Sequence, residues 1–296
     1  MTKILVTGST GLVGRQVVRD LVRKNYEVYA CYNRIKPEFG IPVNLDLSKT
    51  DKIISVLHSI NPNIIIHLAA ITDLEKCEIQ REQAVLINTD STRILAREST
   101  KLGAFFIYVS TDYVFDGTEG YRKEDDITNP LNIYGKSKLD GEIAIRDSTS
   151  KYAIIRTSTP FGLHSTKKSF PLWIKENLEG GKETSVLIDQ FTSPTYVPNL
   201  SKMIIEVTLK QIIGIIHLAG ATRISRYEFA IMIAEKLDLD KSLLKPIKIQ
   251  DMNWKATRPK DSSLDISKAK KILMNKPEEI EYALENFIYE IKNLKN

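Results

Sequence analysis

The segment Gly8-Ser9-Thr10-Gly11-Leu12-Val13-Gly14 constrains this chain more than any other. It follows the apolar run Ile4-Leu5-Val6-Thr7 and opens onto a two-faced stretch. There Val13, Val17 and Leu21 recur every fourth residue with Val18 and Val22 alongside, while Arg15, Arg19 and Arg23 fall on the other side, the pattern of an amphipathic helix. A strand, a glycine turn and a helix in direct succession begin a βαβ unit whose helix N-terminus offers free N–H groups to phosphate. In such a turn the first glycine permits the bend, the second lets the backbone approach a pyrophosphate, and the third lets helix and strand pack closely. Gly8, Thr10, Gly11, Leu12, Val13 and Gly14 are therefore candidate dinucleotide-binding positions. The same glycines interrupt the apolar run, and with no small-residue cleavage site the N-terminus does not read as a signal peptide.

Further strand-length apolar runs follow: Val28-Tyr32, Ile64-Leu68, Ala104-Val109, Tyr152-Arg156 and Ile215-Leu218, with helical stretches between them. Strands buried on both faces read as continuous apolar runs, so this rhythm predicts an α/β fold with a doubly wound parallel sheet. Capping boxes are expected at Ser48-Lys49-Thr50-Asp51 and Ser225-Arg226-Tyr227-Glu228. After about residue 160 strands become fewer and Gly180-Gly181, Pro194, Pro198, Pro246 and Pro259 punctuate the chain. We expect a Rossmann domain over 1–160 and a smaller substrate-binding region over 161–296 that returns segments to the sheet, with the cleft between them. The net charge is only +5, from 42 Lys+Arg against 37 Asp+Glu, and no basic run supports a nucleic-acid partner. No apolar stretch reaches the roughly 18 residues of a membrane helix. Cys31 and Cys77 lie far apart and form no C-x-x-C, which argues against a zinc or dithiol site and for a reducing, cytoplasmic setting.

Ribose specificity is read near the end of the second strand, where an acid would bind the 2′-OH. Here Ala30-Cys31-Tyr32-Asn33-Arg34 has no acid before Glu38. Asn33 and Arg34 favour NADPH over NADH through a 2′-phosphate contact; the alternative is that Arg34 is a solvated surface cation. His67 reads as structural.

The chemistry is carried by Tyr134-Gly135-Lys136-Ser137-Lys138, a Y-x-x-x-K whose two ends share one helix face. Twenty-three residues before the tyrosine, Ser110 and Thr111 end a strand and place hydroxyls at its carboxyl tip. Reduction of a ketone builds negative charge on its oxygen, which a hydroxyl acid can protonate while Thr111 donates a second hydrogen bond. A free phenol has a pKa of about 10; a lysine ammonium and a nicotinamide cation would draw it down.

The glycine spacing resembles that of the extended short-chain dehydrogenase/reductases. Within them the chain resembles the dTDP-4-dehydrorhamnose reductase family, on Thr72-Asp73-Leu74-Glu75-Lys76-Cys77-Glu78, Ser110-Thr111-Asp112-Tyr113-Val114-Phe115-Asp116-Gly117, the run Pro130 to Glu142, Arg156-Thr157-Ser158, Ser193-Pro194-Thr195-Tyr196 and Arg258-Pro259. The resemblance implies reduction of the 4-keto group of a nucleotide-linked 6-deoxy sugar, with Thr111, Tyr134 and Lys138 catalytic and the last two also touching the cofactor. It implies cofactor contacts from Asp46 and Leu47, after the third strand, and from Leu68, Ala69 and Ala70, after the fourth. It further implies substrate contacts from Thr72, Ser110, Asp112, Tyr113 and Phe161. Arg258 either meets the substrate pyrophosphate or fixes a proline turn at the surface. Nucleotide-sugar dehydratases of this kind carry Thr-Asp-Glu; Thr111-Asp112-Tyr113 lacks the second carboxyl and favours reduction. The chain departs from the reductases at Thr159-Pro160-Phe161, where they carry an aromatic residue soon after Arg-Thr-Ser, and at Asn199, where an acid is common. Some reductases hold a divalent metal at a dimer interface; no ligand cluster here carries that over, while a homodimer remains open. The regulatory β subunit of methionine adenosyltransferase is similar in the same segments, so a non-catalytic NADP-binding subunit is the alternative.

Overall fold

The predicted strands pair edge to edge as one parallel sheet. In this computed structural model, which describes residues 2–164 and 168–293, strands β1 (Lys3–Thr7), β2 (Glu27–Tyr32), β3 (Ile41–Asn44), β4 (Ile64–His67), β5 (Phe105–Thr111) and β6 (Tyr152–Thr157) come first. Short strands β7 (Pro160–Phe161), β8 (Thr184–Leu187), β9 (Phe191–Thr192) and β10 (Thr195–Tyr196) precede β11 (Gly214–His217), β12 (Ile224–Ser225) and β13 (Leu244–Ile247). The sheet runs β11-β6-β5-β4-β1-β2-β3. Every pairing in it is parallel, a Rossmann-like α/β arrangement.

The helices are α1 (Leu12–Arg23), α2 (Thr50–Ile60), α3 (Leu74–Ile79), α4 (Arg81–Val85), α5 (Ser91–Lys101), α6 (Ile133–Ser148), α7 (Phe170–Glu179), α8 (Val197–Lys210), α9 (Arg226–Lys236), α10 (Ser267–Ile272) and α11 (Ile280–Asn293). One apolar layer joins α1 and α8 to the sheet through Val17, Leu21, Ile66, Leu200 and Ile204. The opposite face packs Leu5, Ile65 and Phe106 on Ile53, Leu57 and Leu95. A separate core around Phe161, Ile174, Phe229, Leu284 and Phe287 holds α7, α9 and α11 together. The C-terminal part also returns to the sheet, since β11 pairs with β6 and Ser201 of α8 donates to Asp20 of α1 at 2.8 Å.

Chain order in the sheet reverses about β1, whose neighbours are β4 and β2, and ligands of open α/β sheets bind outside the strand carboxyl ends at such a point. The backbones there are in contact. A Cβ on Gly8, at φ +68°, would lie 2.7 Å from Ala69 N, and one on Gly14 only 2.1 Å from Gly8 O; only glycine fits either place.

One predicted cap is replaced by another device. The Ser225 box forms as expected: Ser225 Oγ accepts from Glu228 N at 3.1 Å, and Glu228 accepts from Ser225 N at 2.9 Å. The Ser48 box does not form, because α2 begins at Thr50 after Lys49, without a side-chain cap. The N–H and hydroxyl of Ser48 instead donate to Asp46 at 2.9 and 2.8 Å, a carboxylate-closed turn that takes the serine out of the helix cap.

Candidate active site at the carboxyl edge of the sheet

Strand β5 delivers Thr111 to its tip, and the chain then makes a tight turn through Asp112–Val114. Helix α6 is set against that turn by its first residues. Asn132 accepts from Gly135 N at 2.8 Å as N-cap and donates to Thr257 O at 2.8 Å, while Ile133 N donates to Glu78 at 2.8 Å. A Cβ on Gly135 would lie 2.1 Å from Tyr113 O, so the start of α6 lies directly on the turn. This places the Tyr134 ring edge-on to Tyr113, centroids 6.1 Å apart, with its phenol near enough to the Thr111 hydroxyl for that group to act on its ionisation. Thr111 in turn donates to Asp112 at 2.9 Å and accepts from Tyr113 N at 3.2 Å. Asp112 also accepts from Ser158 at 2.7 Å. Burial raises its pKa against these hydroxyl donors.

Lys138, one helical turn beyond Tyr134, is 2% exposed. Its ammonium donates to Val109 O at 2.8 Å and lies 3.9 Å from the Tyr108 ring centre. Burial lowers its pKa to about 7, opposed by the charge of Glu142. His67, the residue read as structural, is fully buried between Thr7 Oγ1 at 2.6 Å and Thr92 Oγ1 at 2.9 Å, and burial with the Lys138 charge keeps it neutral, near pKa 3. One expectation is corrected. The Tyr134 phenol is shifted upward rather than down, chiefly by burial, with Thr111 opposing the rise and the charge of Asp112 adding to it. The lysine is turned toward Val109 O and the Tyr108 ring, and a neutral buried phenol is the form that can donate a proton.

On the cofactor side, Gly8, Thr10, Gly11, Leu12, Val13 and Gly14 form the turn and first residues of α1, with Gly11 N donating to Gly8 O at 2.9 Å. Leu68, Ala69 and Ala70 run beside it, their N-terminal end tied down by Leu68 N and Ala69 N donating to Thr7 Oγ1, both at 3.2 Å. Arg34 is exposed and has no partner among the described residues. Asn33 offers its carbonyl to Asn44 at 3.0 Å. Glu38, the first acid after β2, is held by Arg15 at 2.5 Å. Asp46 is occupied by Ser48, which lowers its pKa. The Leu47 side chain is a correction: it packs in the sheet core, leaving its backbone as the part that can face a ligand.

The candidate substrate residues divide. Thr72 is exposed and Tyr113 half-buried at the cleft. Ser110 is a correction, because its hydroxyl donates to buried Glu142 at 2.6 Å and so points away from Thr111, as alternation along a strand requires. Phe161 is another. It is 0% exposed, and its ring meets Tyr196, Phe229 and Phe287; the β7 pairing with β10 turns it into the second core. Arg258 lies over the Trp254 ring at 3.5 Å and pairs with Glu75 at 3.2 Å.

The family comparison follows the same text and the same fold. The RmlD substrate binding domain family matches residues 1–293. The chain belongs to this family. It is 33% identical to dTDP-4-dehydrorhamnose reductase of Aggregatibacter actinomycetemcomitans, over 97% of this chain and 98% of that protein. It is also 33% identical to methionine adenosyltransferase 2 subunit beta of Xenopus tropicalis, over 91% of this chain and 82% of that one. Among solved structures, dTDP-4-dehydrorhamnose reductase of Bacillus anthracis in complex with NADP superposes with a TM-score of 0.88 at 31% identity, covering 98% of this chain and all of that one.

In this RmlD-family chain the site also holds residues that sequence reasoning passed over. Arg226, noted only as part of a capping box, donates to Thr159 at 3.3 Å, lies 5.2 Å from the Phe170 ring, and is close enough to Tyr113, Asp112 and Arg258 to sense their charges. Burial and the Arg258 charge lower its pKa. Both guanidinium groups act on Tyr113, which brings positive charge to this side of the site. The local sequence carries no signal for this, since Arg226 and Arg258 meet only through the tertiary fold. Glu75 was legible as part of a motif, yet its role here is to accept from Lys255 N at 2.9 Å and Ala256 N at 3.4 Å, holding the Trp254–Arg258 segment against α3. Among the described residues no cluster of three His, Cys, Asp or Glu is arranged to hold a metal ion, and no helix is long and apolar enough to cross a membrane.

Proposed function

We propose that this protein reduces the 4-keto group of a nucleotide-linked 6-deoxy sugar with NADPH, the reaction named for its reductase relatives. The observation that carries this is the Thr111 hydroxyl near the Tyr134 phenol, one helical turn from buried Lys138, at the strand edge next to the glycine turn. The cradle fits the cofactor: Gly8 and Gly14 leave room only for backbone, and Arg34 is free to meet a 2′-phosphate.

NADPH, when bound, supplies the hydride. Tyr134 donates its proton to the ketone oxygen, and Thr111 supports the charge that develops there. Lys138, one helical turn from Tyr134, would help to hold the cofactor, and its positive charge favours the phenolate left behind. Asp112 positions Thr111 rather than touching substrate. Arg226 and Arg258 bind the sugar-nucleotide diphosphate, for which Arg258 releases Glu75. Thr72, Tyr113 and Thr159 complete the sugar pocket. We further divide the chain into a cofactor unit over 1–160 and a substrate unit over 161–296, place it in the cytoplasm on its two free buried cysteines, and take a homodimer as its assembly.

NADPH consumption with dTDP-4-keto-6-deoxy-L-mannose tests the reading. The native protein should turn over, and Tyr134→Phe should lose about 10²- to 10⁴-fold in kcat while keeping NADPH affinity. The similarity to methionine adenosyltransferase 2 subunit beta supports a second reading, a regulatory NADP-binding subunit. Tight NADPH binding without turnover, together with capture of a methionine adenosyltransferase, would establish that reading instead.

A further inference from the structure

Glu142 lies two helical turns beyond Tyr134 and one beyond Lys138 on α6, so all three share a face. Its carboxylate is completely buried and doubly engaged by Arg156 of β6: Nε at 3.1 Å to one oxygen and Nη2 at 2.7 Å to the other. The first oxygen also accepts from Ser110 at 2.6 Å. Arg156 is itself fixed, donating to Glu124 O at 3.2 Å and lying 5.1 Å from the Phe115 ring. Ser110 and Arg156 are direct neighbours across β5 and β6, as are Thr111 and Thr157. The clamp therefore holds α6 to the strand residue immediately before the catalytic threonine.

Among the described residues this is the only ion pair with both side chains under 5% exposed. A buried pair is weak evidence for stability, because apolar residues of similar size often serve as well. Its bidentate geometry does fix a register. The surroundings of Lys138 give it a second consequence. Lys138 faces Glu142 and Tyr134 on its own helix, neutral His67 from β4, and the Tyr108 ring and Val109 carbonyl from β5. Glu142 faces Arg156, Ser110 and Tyr108, and beyond Arg156 lies neutral His217 of β11. Glu142 is thus the carboxylate that opposes burial at the lysine.

We propose that Glu142, clamped by Arg156 and Ser110, is a positioning residue for the reduction: it sets the register of α6 against Thr111 and provides the counter-charge for the Lys138 ammonium. The proposal rests on the reductase reading for its kinetic readout only. With the isosteric Glu142→Gln, kcat should fall about 10- to 100-fold, as expected for misplacement of a catalytic group, while KM for both substrates stays within about threefold. Lys138 would then lose its proton more readily, so the alkaline limb of the kcat profile should move to lower pH. The Lys138 ammonium, read by NMR titration in the cofactor-free protein as the signal absent from Lys138→Met, should lose its proton at lower pH than in the native protein. Glu142→Met/Arg156→Met replaces the pair with apolar residues and guards against simple unfolding; it should fold and still lack native kcat.

A folded Glu142→Gln protein with native kcat, alkaline limb and Lys138 titration would overturn the proposal, as would full kcat in the double variant. A native protein that reduces no 4-keto sugar nucleotide would refute the reductase reading alone, since the Lys138 titration decides the role of Glu142 without turnover.

Discussion

Arg34 follows the second strand and Arg15 lies in the first helix, yet only Arg34 lacks a partner among the described residues. Arg15 is paired with Glu38 and lies 5.4 Å from the Phe39 ring, whereas Arg34 has no partner among the described residues. A charge-assisted bond to phosphate is worth about 1.5–3 kcal/mol, so Arg34→Ala should weaken NADPH about 10- to 100-fold and leave NADH within about twofold in a fluorescence titration. Equal losses would show that Arg34 does not read the 2′-phosphate. At this scale the placement of the candidate catalytic residues was legible because each motif is local: i, i+4 spacing for Tyr134 and Lys138, and a strand tip for Thr111. Ser110 and Phe161 misled for one reason. A motif records which residues neighbour the site, whereas the alternation of a strand decides which of them face it. Strand alternation turns Ser110 toward Glu142, and the β7–β10 pairing turns Phe161 into the second core.

Between β1 and α1 the glycine turn is a packing element as much as a phosphate cradle. A methyl group on Gly14 would meet Gly8 O at 2.1 Å and Ser9 Cα at 3.1 Å, both backbone, and neither can move aside without shifting the strand end. Gly14→Ala should therefore lower stability by about 1–3 kcal/mol and abolish measurable NADPH binding, read by thermal unfolding with and without cofactor. A melting temperature that still rises normally with NADPH would refute this. The α9 cap is a milder case: Ser225→Ala removes the bond to Glu228 N and should cost about 1 kcal/mol in denaturant unfolding. Its position beside Arg226 makes kcat a second readout, since fraying of the first turn would loosen that guanidinium. Helices were legible where caps and four-residue spacing coincide, as in α1 and α9. Asp46 shows the limit: a carboxylate two residues upstream took the Ser48 hydroxyl that a cap would have used.

Across the molecule, the C-terminal part is joined to the sheet by groups far apart in sequence, which is why its two-residue strands left no periodic signal. His164 Nε2 lies 3.0 Å from Thr10 O, carrying the second region onto the glycine turn. On the opposite side Glu206 of α8 closes the chain after α10. It accepts from Met274 N at 2.6 Å, Asn275 N at 2.8 Å and Asn275 Nδ2 at 2.6 Å, and pairs with Lys210 at 2.6 Å. Burial opposes its charge, but these donors outweigh burial and hold its pKa at about 2, below the ordinary 4.5. A carboxyl with a depressed folded-state pKa contributes stability above its unfolded value and loses that contribution as pH falls toward the folded value. The native protein should therefore lose about 1–3 kcal/mol of this contribution between pH 4.5 and 2. Glu206→Gln should be less stable than native at neutral pH, and the gap should shrink across the same window. Denaturant unfolding at neutral and acid pH measures both. A gap that stays constant with pH would show that Glu206 joins α8 to the 274–275 segment by hydrogen bonding alone, without its charge.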